Sequence, residues 1–357
     1  MPNIIKTTFP LSEDFIPTEL VDREIERNDI KFFLKPISEG EHQLYNLFIT
    51  GSVGVGKTVL SLFVARELPT RAFYIKLSDY DCTPSRIINK IAAIVGSPSA
   101  QYSNLILENL IKHLNTQKPS TLLVFDDFDK IPLKTIEGIL HELPRRASRH
   151  CNLLIISRVP TALEGLPMDT KSTLQCRELL LKPYNAQIIH DILVQRAELA
   201  LTTPNLISDN VLWMIANTAA LSGSARQAIE MLKTACMIAE RQELGKVDEA
   251  CVNYAFGEID RRSLVETIKS LPEYHKLLLQ CCDLYPQTYS KVYQKWKKRL
   301  NNQGLKALSI YRFRDFVADL KKLDLVQPTI KGMGRGRGFS YFLKLSRHVN
   351  DITGRVA

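Results

Sequence analysis

Short apolar runs alternate with stretches of helical period through the first half of the chain. Residues 44–50, 72–77, 122–125, 153–156 and 178–181 read as strands, and 122–125 (Leu-Leu-Val-Phe) holds no polar position at all. Between them, 57–68, 84–95, 104–114 and 133–143 carry apolar residues at helical spacing. Strands without polar alternation are buried on both faces, and helical crossovers between them imply a parallel sheet. The pattern therefore predicts an α/β domain over residues 1–183. Beyond Pro183 the strands stop. Residues 186–199, 209–219, 225–241 and 248–258 all repeat at helical period, which predicts an all-helical unit over 184–260.

A third unit is expected over 261–357. It has helical patterns at 263–270, 273–284, 290–301 and 309–323, then two β-like stretches, 325–329 and 340–345, around the glycine-rich loop 331–338. Helices followed by a hairpin with a basic tip fit a winged helix, a DNA-binding design. Charge sharpens this reading. The chain has 357 residues and a net charge of +9. Residues 261–357 hold 20 Lys and Arg against 7 Asp and Glu, whereas residues 1–260 hold 27 against 31. A basic C-terminal quarter on a mildly acidic body suits a polyanionic partner; the alternative is a solvated basic surface. The 45% hydrophobic and 24% charged content excludes a disordered or fibrous chain. No apolar run is long enough for a membrane span, and the N-terminus lacks the apolar core of a signal peptide, so a cytoplasmic, nucleoid-associated protein is expected. The seven cysteines form no CxxC pair and read as reduced thiols.

The chemistry starts at Gly51-Ser52-Val53-Gly54-Val55-Gly56-Lys57-Thr58, a GxxxxGK[ST] loop between an expected strand and an expected helix. Glycines let backbone N–H groups wrap phosphate oxygens at the positive end of a helix. Lys57 is expected on the β- and γ-phosphates and the Thr58 hydroxyl on Mg²⁺. The strand 122–125 ends in Asp126 and Asp127. Asp126 is placed to hold the metal's water shell, and Asp127 stands where a hydrolytic ATPase usually has a water-orienting Glu. The fourth strand ends in Ser157-Arg158, where Arg158 either senses phosphate or pairs with Asp127. Gly223-Ser224-Ala225-Arg226 opens a helix, and Arg226 in its first turn is an electrostatically poor place for a cation unless it reaches a phosphate.

In order along the chain these residues resemble the archaeal initiators of the origin-recognition/cell-division-cycle type, AAA+ ATPases with a C-terminal winged helix. Residues 17–26 look like that family's segment beside the adenine pocket. Lys182-Pro183-Tyr184-Asn185, with Ile192, Leu193, Arg196 and Ala197, looks like its entry to the lid, and Gly223 to Arg226 with Ala228 and Leu232 like its second sensor. Leu271-Pro272, Val292-Tyr293, the 309–323 helix and the Gly-Arg wing tip follow the family in order. The resemblance implies a nucleotide set of Ser52, Val53, Gly54, Val55, Gly56, Lys57, Thr58, Val59, Tyr184 and Arg226. It implies Asp127, Arg158 and Arg226 as catalytic groups, and Thr58 with Asp126 as the Mg²⁺ ligands. It further implies ATP or ADP as ligand, origin duplex DNA, a replicative helicase and other initiator subunits as partners, and a DNA contact from a helical insertion near 83–100.

The departures are specific. The family usually has Asp-Glu where Asp126-Asp127 stands, and Asn where Arg158 stands; both changes point to slow hydrolysis. Lys171 and Arg177 are alternative candidates for an arginine finger acting in trans. An Asp-Asp pair and a Ser-Arg strand end are usual in STAND signalling ATPases, which have Gly-Leu-Pro where this chain has Gly-Ser-Ala-Arg. A DNA-binding scaffold that holds nucleotide without turnover is the third alternative. On the winged helix, Tyr311, Arg312 and Arg314 lie on the first turns of the expected recognition helix, with Ser309 as its N-cap. Lys331, Arg335 and Arg337 in the wing suit phosphates or a minor groove.

Overall fold

A computed structural model describes residues 3–39, 45–79, 83–98, 100, 102–147, 149–332, 339–346 and 349. By internal contacts the chain divides into two compact units, Met1–Val252 and Asn253–Ala357.

The first unit opens with α1 (Glu24–Ser38), then β1 (Asn46–Thr50), α2 (Lys57–Glu67), β2 (Arg71–Lys76), α3 (Pro84–Val95), α4 (Ser103–Thr116), β3 (Thr121–Asp126), α5 (Leu133–Arg146), β4 (Cys151–Ser157), α6 (Met168–Leu174) and β5 (Cys176–Leu180). All pairings are parallel, in the order β2-β3-β4-β1-β5. Every residue of β1, β3 and β4 is buried, as unbroken apolar runs require. Alternate positions serve opposite faces. Leu47, Ile49, Leu122, Val124, Leu154 and Ile156 pack with Ile30 of α1 and Leu60 and Val64 of α2. Phe48, Leu123, Phe125, Leu153 and Ile155 pack with Ile87 and Ile91 of α3, Leu110 of α4 and Ile136 and Leu140 of α5. The edge strands β2 and β5 are only partly covered, which is why their runs carry Arg71, Lys76, Arg177 and Glu178.

Three helices complete this unit: α7 (Ala186–Ala200), α8 (Asp209–Ala220) and α9 (Ala225–Arg241). Asn185 caps α7, its Oδ1 accepting from the Ile188 N–H at 2.9 Å. Ser224 caps α9, its Oγ accepting from the Gln227 N–H at 3.3 Å.

The chain crosses between the units within α10 (Glu249–Ser270). Two helices with a break near residue 260 were expected; one continuous helix is found. No proline interrupts the polar stretch, and Glu258 pairs with Arg262 one turn on. The second unit continues with α11 (Glu273–Leu279), β6 (Gln287–Thr288), α12 (Tyr289–Asn302), α13 (Ile310–Lys322), β7 (Val326–Gly332) and β8 (Phe339–Leu345). Its antiparallel sheet has the order β6-β8-β7. Trp296 and Phe313, both fully buried, anchor a core with Val292, Leu300, Val317, Leu320 and Leu343. The expected helix 273–284 ends early, at Leu279. The chain turns away there, and the Asp283 carbonyl accepts from the Leu345 N–H at 2.8 Å instead of continuing a helix. Ser309 caps α13 as expected, its Oγ accepting from the Arg312 N–H.

Candidate functional site

The sheet order explains where the chemistry collects. β1 lies between β4 and β5, and β4 lies between β1 and β3, so three consecutive strand ends present the loop after β1, Asp126 and Ser157-Arg158 side by side. Ligands bind at such a point, outside the carboxyl ends of the strands where the strand order reverses.

The loop after β1 is shaped by glycines with positive φ: +149° at Gly51, +79° at Gly54 and +86° at Gly56. The last two also face neighbours. A Cβ on Gly56 would stand 2.5 Å from Tyr184 Oη, and one on Gly54 would stand 1.9 Å from Ser224 Oγ. The loop therefore closes against Tyr184, just before α7, and against the cap of α9, and the Gly54 carbonyl accepts from the Ala225 N–H at 3.0 Å. Val55 is buried in the sheet core, whereas Ser52 and Val53 are exposed and Val59 is half-buried.

Lys57 is buried, and its Nζ donates to the Gly51 and Ser52 carbonyls at 2.9 and 2.8 Å. Burial lowers its pKa against the opposing pull of Asp126 and Asp129, and the Arg158 and Arg226 charges lower it further. Both guanidiniums thus act electrostatically on the loop lysine. Thr58 Oγ1 donates to Asp126 Oδ2 at 2.6 Å, and Tyr74 Oη donates to the same oxygen at 2.9 Å. A hydroxyl and a carboxylate in contact are the hard-oxygen donors a Mg²⁺ ion takes, so Thr58 and Asp126 fit that ion.

The remaining acidic and basic groups are arranged differently from expectation. Asp127 sits in a left-handed turn, φ 56°, which carries its carboxylate to Ser78 Oγ at 2.7 Å and Lys130 Nζ at 2.8 Å. Burial raises its pKa, but those two hydrogen bonds together with the Lys130 and Lys76 charges outweigh it, and the net shift is down. Arg158 does not pair with Asp127. Its partner is Asp129, which accepts from the Arg158 backbone N–H at 2.9 Å, from Nε at 2.9 Å and from Nη2 at 2.5 Å. The turn that swings Asp127 away brings Asp129 beneath the end of β4. Arg226 is ion-paired with Glu13 at 2.8 Å. Of the two candidates for a trans-acting finger, Lys171 donates to the Glu164 carbonyl at 2.6 Å, and Arg177 stands over the Phe33 ring at 5.6 Å.

Sequence reasoning gave no role to Arg23 or Glu13. Arg23 is buried at φ 80°, stacks over the Tyr184 ring at 4.3 Å, and donates to Glu26 at 2.8 Å and to the Lys182 carbonyl at 2.6 Å. It falls within the 17–26 segment, but nothing in the sequence signals its positive φ.

In the second unit, Tyr311, Arg312, Arg314 and Lys331 are exposed. Arg312 is 3.7 Å from Asp315, one turn along α13. Arg314 has no carboxylate partner among the described residues; its guanidinium lies 5.9 Å from the Tyr341 ring. Arg335 and Arg337 lie outside the described residues. The stretch 83–100 carries α3, whose Ile87, Ile88 and Ile91 face the core while Arg86 and Lys90 are exposed.

Residues 41–164 match a family described as AAA domain, and residues 190–257 one described as Cdc6 AAA+ ATPase-type lid domain. The chain is 30% identical over 353 residues to ORC1-type DNA replication protein 1 of Archaeoglobus fulgidus, covering 93% of this chain and 86% of that protein. It belongs to the ORC1-type DNA replication proteins. A relative from Sulfurisphaera tokodaii is also 30% identical, over 91% of this chain and 86% of its own length. The structure of the Aeropyrum pernix Orc1 protein in complex with DNA superposes with a TM-score of 0.75, at 27% identity, covering 96% of this chain and 94% of that one. The Aeropyrum pernix ORC2 protein shares the fold at a TM-score of 0.65 and 20% identity. Family membership decides against the STAND alternative. It makes this chain a replication initiator of the AAA+ class, with the nucleotide site such proteins carry. Among the described residues, no helix is long and apolar enough to cross a membrane.

Proposed function

We propose that this ORC1-type chain recognises origin duplex DNA and uses slow ATP hydrolysis as a switch for helicase loading. The observation that carries the reading is that the adjacent ends of β3 and β4 and the first turn of α9 bring Asp126, Arg158 and Arg226 to the glycine loop of Lys57 and Thr58, in a chain whose last 97 residues are strongly basic. In this reading Ser52, Val53, Gly54, Val55, Gly56, Lys57, Thr58 and Val59 hold the phosphates through backbone N–H groups and the Lys57 ammonium. Tyr184, backed by Arg23, flanks the loop. Thr58 and Asp126 hold Mg²⁺, which when bound neutralises phosphate charge.

The switch follows from partners already present. Lys57 already donates to two carbonyls, Arg158 to Asp129 and Arg226 to Glu13, so a phosphate competes with those partners for each cation. Asp127, held by Ser78 and Lys130, is one methylene shorter than Glu and orients water poorly, so hydrolysis is slow. On the DNA side, Tyr311, Arg312 and Arg314 enter the major groove, and Lys331, Arg335 and Arg337 meet phosphates or the minor groove. That the A. pernix Orc1 protein has been solved in complex with DNA supports a DNA-binding role for this chain.

The test measures ATP turnover and origin-duplex affinity together, with ATP and with ADP. Turnover below about 1 s⁻¹, at the slow end of enzyme rates, is expected, with duplex affinity that differs between the two nucleotides. Asp127→Glu should raise the rate. Turnover of many per second in the wild type, or equal duplex affinity in both states, would remove the switch.

A further inference from the structure

The second unit contains a cleft of about 480 Å³ whose aromatic lining the duplex-reading role does not use. It is walled by two helix faces and one strand. Tyr289 and Tyr293 form an i,i+4 row on α12, and Ile310 and Arg314 form another on α13. The third wall is β8. Phe339, Tyr341, Leu343 and Leu345 share one face of that strand. Leu343 and Leu345 are core, but the same face continues past the core as aromatics, with Phe339 75% and Tyr341 46% exposed. Phe339 pairs with Gly332, so its ring lies against a residue without a side chain. Tyr289 and Tyr341 approach to 5.6 Å between centroids. The remaining lining is Thr288, Ser290, Gln294 and Ser340. Among the described residues no carboxylate lines the cleft, its one charge is Arg314, and Arg314 has no carboxylate partner.

Exposed rings beside an unneutralised guanidinium, with hydroxyls and an amide between, match one class of ligand. Ring faces stack on bases only when the bases are unstacked, since a duplex hides base faces against one another. Stacking platforms combined with cations are how single strands are held. Resting on the DNA-binding reading above, we infer that this cleft binds single-stranded DNA, an unstacked base lying on Phe339 and Tyr341 with Arg314 on the neighbouring phosphate. The site would then hold a strand freed beside the duplex that α13 reads.

The test uses the full chain and a fluorescent oligothymidylate of about 12 nucleotides, within the ~4–16 that one such fold covers, alongside a duplex probe at low salt. Phe339→Ala removes only an exposed ring. It should weaken single-strand binding about tenfold or more while leaving duplex affinity unchanged. Tyr341→Ala should do the same to the single strand, and Tyr341→Trp should restore it. A 2-aminopurine base in the oligonucleotide should be quenched by the wild type and not by Phe339→Ala. Equal single-strand affinity in wild type and Phe339→Ala, or parallel loss on both probes, overturns the assignment. If the wild type binds duplex but no single strand, this inference alone falls. If it binds neither probe, the DNA-binding reading falls with it.

Discussion

Two arginines mark the difference between the two halves of this molecule. Arg158, at the end of β4, is held three times over by Asp129. Arg314, on α13, has no carboxylate partner among the described residues and lies 5.9 Å from the Tyr341 ring. The contrast extends to their neighbours. In the first unit Lys57 is bound to loop carbonyls and Arg226 to Glu13. A nucleotide that enters there competes with those partners for the same cations. The α13 face carries cations open to solvent, so DNA meets them by releasing counterions and little internal contact has to break. A switch belongs where partners are exchanged, and a grip belongs where they are not.

The contrast breaks most readily at Lys57. Lys57→Ala removes the one ammonium of the loop while leaving the glycine turns in place. Charge-assisted hydrogen bonds contribute about 1.5–3 kcal/mol each, so ADP and ATP affinity should fall by roughly two orders of magnitude. Calorimetric titration measures it. Duplex affinity at matched salt in the absence of nucleotide should stay as in the wild type. Retained nucleotide affinity would remove the loop from the site.

A finer test sets two residues of one helix against each other. Arg314→Ala should weaken specific duplex binding by about 1–3 kcal/mol, the range for a side chain that reaches a base edge. Arg312→Ala should cost less, because Asp315 already neutralises part of its charge. Competition between specific and random duplexes at two salt concentrations separates the effects. Equal losses would mean that the Asp315 contact does not persist on DNA.

Much of this was legible beforehand, and unevenly so. The five strands were readable because β1, β3 and β4 are buried on both faces and carry unbroken apolar runs. The glycine loop was readable because its residues are dictated by backbone shape. What stayed hidden was long-range or conformational. The two-residue β6 is too short to show a period. The continuity of α10 depended on the absence of a breaker more than on any apolar pattern. The partner of Arg158 turned on the φ of Asp127, which no spacing rule reports. Glu13 meets Arg226 from more than two hundred residues away. The cleft on β8 required knowing that Phe339 and Tyr341 lie beyond the edge of the core and not within it.

The smallest effect concerns the pair that opened the comparison. Asp129 is 5% exposed in its side chain. Burial raises its pKa, but the Arg158 side chain and backbone N–H outweigh that, and the folded-state value lies below the ordinary 3.8. A carboxylate whose folded pKa is depressed contributes stability above its unfolded pKa and loses it as pH falls through the folded value. The window is therefore below about pH 4. Because Arg158 is 46% exposed, the pair is partly screened, and its contribution should be about 1 kcal/mol or less. Asp129→Asn should lower the unfolding midpoint slightly at pH 6 and leave a shrinking difference from the wild type as pH is taken toward 3. Arg314→Ala, with no carboxylate to titrate against, should show no such convergence over the same range. Denaturant melts at several pH values measure both. A wild-type advantage over Asp129→Asn that stays constant down to pH 3 would mean that Arg158 is not held by charge, and the distinction between a paired and an open arginine would lose its energetic basis.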